Sequence, residues 1–166
     1  MKPAAKKPLP RYTARPLPPY RFVPGESPHP TRDPEGHSFN ESRYELKPFQ
    51  APEWRNCDAY LYGVDLFNHG YWWEAHEALE DVWLAAGQRE TLCGRFVQGL
   101  IQLAAAQLKR FMAEPRGAKS LTVAGIEKIA EVEGVYLGVE VAELMAEAER
   151  CLREDRGEFP RIELFF

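Results

Sequence analysis

His76, Glu77 and Glu80 stand at i, i+1 and i+4 within FNHGYWWEAHEALEDVW, residues 67–83. On a helix, i and i+4 project to the same side, so His76 and Glu80 could share a divalent cation. Glu77 or Glu74 would then serve as the general base on a water molecule. The stretch also carries four carboxylates and three tryptophans, more than an ordinary amphipathic helix needs. A polar network that holds a helix bundle together uses the same residue types. Both readings therefore stand on the residues alone.

The HEALE string differs from the zinc-peptidase HExxH pattern by a glutamate in place of the second histidine. No third ligand follows at a recognisable spacing. Trp73 stands three residues before His76, so the ExxH pair of di-iron bundles is absent as well. Further ligands are expected from the N-terminal part, where His29 lies in SPHP and His37 in EGHS, eight residues apart. If that segment crosses the helix, His76, Glu80, His29 and His37 could converge on zinc, manganese or iron with one open position. The competing expectation is a structural histidine paired with a buried carboxylate.

On a helical wheel, Tyr71, Ala75, Ala78, Leu79 and Val82 form one apolar arc, with His76 at its edge next to Trp83. Trp73 and Leu84 fall outside that arc, so something must cover them. Tyr71, Trp72, Trp73 and Trp83 could line a small-molecule or base-stacking pocket, or could be core. Further on, Gln98 and Gln102 are one turn apart on an otherwise apolar stretch. They are expected either to bond across the bundle to His76 or Glu80, or to lie at its solvent edge. Gly99 beside them costs about 1 kcal/mol in a helix interior, which points to a close helix approach.

The elements that must position these residues divide at residue 53, since 12 of the 14 prolines lie in residues 1–53. Residues 1–17 read as a disordered, basic, proline-rich tail. Residues 18–53 read as an extended strap, with Tyr20, Phe22 and Phe39 to bury and turn pairs at Pro24-Gly25 and Glu35-Gly36. Residues 54–166 read as a helical domain with no alternating strand. The expectation is an all-α fold, a compact bundle of about five antiparallel helices at 54–69, 71–86, 89–113, 117–133 and 139–155. Gly70, Gly87 and Gly134 are expected as left-handed caps, and Pro115 as the break before the fourth helix. RFVQGLIQLAAAQLKRFM is apolar enough to be central, and the C-terminal EFPRIELFF should fold back over an open edge.

At 166 residues the chain is long enough for one domain with a proper core. It has no apolar run that could span a membrane and no secretory leader pattern. Cys57, Cys93 and Cys151 are odd in number and widely spaced, which argues for reduced thiols and a cytoplasmic setting. The net charge is −4, yet residues 1–21 carry six Lys or Arg and no acid. Such a tail could touch nucleic acid, but phosphate binding by so short a segment is weak and salt-sensitive. A small molecule or a protein is the favoured partner class, and self-association stays open.

FNHGYWWEAHEALEDVW together with FVQGLIQLAAA, residues 96–106, resembles the domain-of-unknown-function family numbered 309. The likeness covers about residues 55–155. The strap motif PPYRFVPG, with PHPT and GHS after it, is similar to an extension found in some members. The resemblance implies a compact all-helical bundle and carries the family's label of predicted metal-dependent hydrolase. The positions it singles out are Asn68, Gly70, Glu74, His76, Glu77, Glu80, Trp83, Gln98 and Gly99. Two functions therefore compete: metal-assisted hydrolysis at the His/Glu cluster, or a non-catalytic helical interaction module in which that cluster is architectural.

Overall fold

The computed structural model describes residues 8–42, 45–154 and 158–166. Among the described residues, five α-helices make the body: α1 (Asp58–Asn68), α2 (Trp72–Ala85), α3 (Leu92–Phe111), α4 (Pro115–Ile129) and α5 (Val141–Glu154). This is the all-α bundle expected from the helical periodicity, preceded by an extended strap. No helix among the described residues is long and apolar enough to cross a membrane.

The helix ends follow local chemistry. Gly70, Gly87 and Gly134 all take positive φ, as their positions after the helical runs imply. Thr91 caps α3 by accepting the Gly94 amide at 2.9 Å. Pro115 opens α4 at its first position, where a missing N–H costs nothing.

α3 is the central element and packs against both α2 and α4. Phe96, Val97, Leu100, Leu103 and Ala104 are fully buried along it. Gly99 is the point of closest approach to α4. A Cβ there would lie 2.7 Å from Ile129 Cγ1 and 2.9 Å from the Gly125 carbonyl oxygen. A side chain at either glycine would push these two helices apart.

A two-residue hairpin joins α4 to α5, with β1 (Val135–Tyr136) paired antiparallel to β2 (Val139–Glu140). Its turn puts Leu137 and Gly138 at positive φ, the backbone of a tight hairpin turn. Two residues are too few for strand alternation to show in the sequence, which is why the segment reads as helix boundary and loop. The C-terminal segment does fold back. Val139 bridges Leu164, and Ile162 is fully buried. Asn68, at the end of α1, clamps it through two bonds. Its side-chain amide donates to the Ile162 carbonyl and accepts the Ile162 N–H, each at 2.8 Å.

In the structure the N-terminal strap also includes residues 8–17, which bond to the body. Within that range, the Tyr12 and Thr13 amides donate to the Asp65 carboxylate. The Tyr62 hydroxyl donates to the Pro16 carbonyl at 2.9 Å, and the Arg15 guanidinium lies over the Tyr62 ring. Residues 1–7 lie outside the described residues. Phe22 and Val23 are buried against the body, as an ordered strap requires.

The clamp at Asn68 has a measurable consequence. Asn68→Ala leaves two buried backbone groups unpaired and should cost about 3 kcal/mol of unfolding free energy. Urea denaturation should show a lowered midpoint with an unchanged slope. An unchanged midpoint would remove the clamp.

Candidate functional site

α2 distributes its polar groups around three sides because successive residues turn by about 100°. Trp72, Ala75, Leu79 and Val82 face the core and are buried. His76, Glu77 and Glu80 lie on an outer side and are half-buried. Their ligand-capable atoms all fall within 4.8 Å of one another, the only such group of three or more among the described residues. His76 Nδ1 is 3.4 Å from Glu77 Oε1. That is ion-pair range, but the contact lacks hydrogen-bond geometry, so the buried Nδ1 atom has no hydrogen-bond partner among the described residues. One imidazole nitrogen and two carboxylates form a nitrogen–oxygen donor set suited to a divalent cation.

Glu74 goes to the strap instead. Its Oε1 accepts the Phe22 amide at 2.7 Å and lies 3.0 Å from His37 Nε2. Both side chains of the His37–Glu74 pair are almost fully buried, at 4% and 5% exposure. Glu74 Oε2 is buried without a hydrogen-bond partner among the described residues. The strap histidines therefore do not join His76 in the group of three. His37 is spent on Glu74. The His29 ring packs 5.4 Å from Trp73 and 5.0 Å from Phe22, and its Nδ1 faces the Thr31 amide at 3.3 Å. Glu77 stands in the ligand-capable group with His76 and Glu80.

The remaining expected pocket residues take separate places. Trp73 is covered by the strap, with Phe22 edge-on at 5.2 Å, while Leu84 stays exposed. Tyr71 lies under the Arg21 guanidinium at 5.6 Å. Trp83 Nε1 and Gln102 Oε1 are buried without hydrogen-bond partners among the described residues. Gln98 is half-buried on α3. Asn68 is committed to the C-terminal segment.

Asp65 is the polar residue that the motif reading passes over. Its carboxylate is fully buried and takes the Tyr12 amide at 2.7 Å, the Thr13 amide at 3.0 Å and the Thr13 hydroxyl at 2.7 Å. Arg11 Nε completes the set at 3.2 Å. The available signal was an acid on the apolar side of α1, four residues after Leu61. Ser38, next to His37 in EGHS, has no role in the sequence pattern. Its hydroxyl lies 2.9 Å from His37 Nδ1. His69, at the end of α1, places Nδ1 2.8 Å from the Asp65 carbonyl, a bond within its own helix turn.

Between the strap and the α1–α2 face runs a groove of about 1120 Å³. Glu74, Glu77 and Asp81 line it from α2, Asp58 and Tyr62 from α1, and His37 and Ser38 from the strap. Cys57 also lines it, and burial pushes this thiol above its ordinary value. At neutral pH it is therefore a protonated thiol and a poor metal ligand.

A helical bundle with a nitrogen–oxygen donor group on α2, beside a strap-walled groove, is the class of protein these features define. Residues 60–121, from α1 into α4, match the family described as Domain of unknown function (DUF309). No curated protein matches the chain.

Glu74→Ala would leave the Phe22 amide and the His37 ring buried without their acceptor. The expected cost is about 3 kcal/mol of stability, together with faster proteolytic cleavage within residues 18–42. Peptide mapping of a limited digest measures the second effect. Unaltered cleavage there would contradict the role of Glu74 as the strap's anchor.

Proposed function

We propose that the protein binds a divalent cation through His76, Glu77 and Glu80, beside a groove that holds its substrate. The observation that carries this reading is the gathering of those three ligand atoms within 4.8 Å on one side of α2. The buried His76 Nδ1, left without a hydrogen bond, supports it. Zinc, manganese and iron all suit one imidazole with two carboxylates. An ion bound here would supply Lewis acidity and an ionised water, the chemistry of hydrolysis. For its part, the chain neutralises cation charge with two carboxylates and orients the imidazole from the same helix. Glu77 also lines the groove, so a substrate lying there would be beside the group.

A second reading, a non-catalytic interaction or scaffold module, has its own support. Asp65 and Glu74, the two fully or almost fully buried carboxylates among the described residues, both accept strap amides. Polar residues on this face can therefore be architectural.

One titration separates the two. After removal of metals with EDTA, zinc or manganese should bind at about one ion per chain in calorimetry and raise the melting temperature. His76→Ala should abolish both effects while leaving the far-ultraviolet circular dichroism unchanged. No heat of binding, with an unmoved melting temperature for both ions, would reject the cation site and leave the scaffold reading.

A further inference from the structure

The strap and α2 bring together a second set of groups whose hydrogen bonds have a defined direction. Glu74 Oε1 already accepts the Phe22 amide, so it also acts as acceptor toward His37 Nε2, 3.0 Å away. In the neutral imidazole, the proton then sits on Nε2 and the lone pair on Nδ1. Ser38 Oγ, 2.9 Å from Nδ1, must therefore donate its hydroxyl proton to the ring. The order hydroxyl, imidazole, carboxylate is that of an activated serine. A turn contact between neighbouring residues would give the Ser38–His37 bond alone. It would not supply a carboxylate from another element, buried to 5% exposure, on the far nitrogen. All three residues line the 1120 Å³ groove, which gives a substrate access to the hydroxyl.

We propose that Ser38, His37 and Glu74 form a nucleophilic relay for acyl transfer, separate from the His76 group. Ser38 Oγ bonds to the acyl carbon while His37 Nδ1 takes the hydroxyl proton. Collapse of the tetrahedral adduct breaks the bond to the leaving group, which receives that proton from His37. Water then attacks the acyl-serine, with His37 again accepting and returning a proton, and releases the acid with free Ser38. Glu74 is a positioning residue: it fixes the tautomer and stabilises the imidazolium. The groove selects the acyl class. Among the described residues, Glu41, Glu53, Asp58 and Asp81 outnumber Arg15 and Lys47 along it, and Leu66 and Phe49 supply apolar wall. Neutral or cationic esters and amides fit that lining, and anionic ones are repelled.

The test uses the full chain in EDTA with an alkyl fluorophosphonate, read by intact mass and peptide mapping. One adduct per chain on Ser38 is expected. It should be absent in Ser38→Ala and should form at least about 100-fold more slowly in His37→Gln. Since His37→Gln also loosens the strap, labelling of the native chain is followed from pH 5 to 9 as well. The rate should rise to a plateau, as attack assisted by a side-chain base requires. No adduct on Ser38, equal rates in native and His37→Gln protein, or a rate that climbs with hydroxide and never levels would overturn the relay. Because EDTA is present throughout, this outcome is independent of whether a cation binds at His76.

Discussion

Two buried carboxylates, Asp65 on α1 and Glu74 on α2, hold the N-terminal strap by its backbone. The amides of Tyr12, Thr13 and Phe22 belong to no helix or sheet, and buried amides must find acceptors. Asp65 and Glu74 supply them at 2.7–3.0 Å. The reverse dependence is equally strong. A carboxylate taken out of water without partners costs several kcal/mol, so the helices need the strap as much as the strap needs them. An arm so rich in proline cannot form a helix of its own, and this mutual requirement gives it one fixed path.

That path produces the groove and sorts the histidines. With the strap fixed, Phe22 and His29 close over Trp73, and His37 is carried onto Glu74. At 100° per residue, Glu74 and His76 lie about 160° apart around α2. A strap docked on Glu74 therefore places its histidine on the opposite side of the helix from His76. One helix thus presents two polar groups of different character. His76, Glu77 and Glu80 are half-buried and rich in negative charge, while His37 and Glu74 are nearly sealed from water. Glu77, in the first group, also lines the groove that the second group borders.

The helical body was legible in the sequence because its signals are local. The 3.6-residue period, glycines after apolar runs, and Pro115 mark the elements directly, and Gly99 marks the tight α3–α4 crossing. The need to cover Trp73 was also readable from its place on the wheel, although Leu84 beside it remains exposed. What could not be read is where the strap docks. Its bonds to Asp65 and Glu74 run from main-chain amides, which carry no residue code, across 52 or 53 positions. Spacing alone therefore suggested three converging histidines, where the structure gives one pair and one aromatic contact. Asp65 belongs to the same class: an acid on an apolar helix side is visible, but its partner is not.

Residue-resolved hydrogen exchange by NMR measures the central interaction most directly. If Asp65 and Glu74 hold the strap, the Tyr12, Thr13 and Phe22 amides should exchange at least about 100-fold more slowly than in an unstructured chain. Exchange of all three at the rate of a free peptide, with the α3 amides still protected, would show a strap not anchored by these carboxylates and would contradict the account.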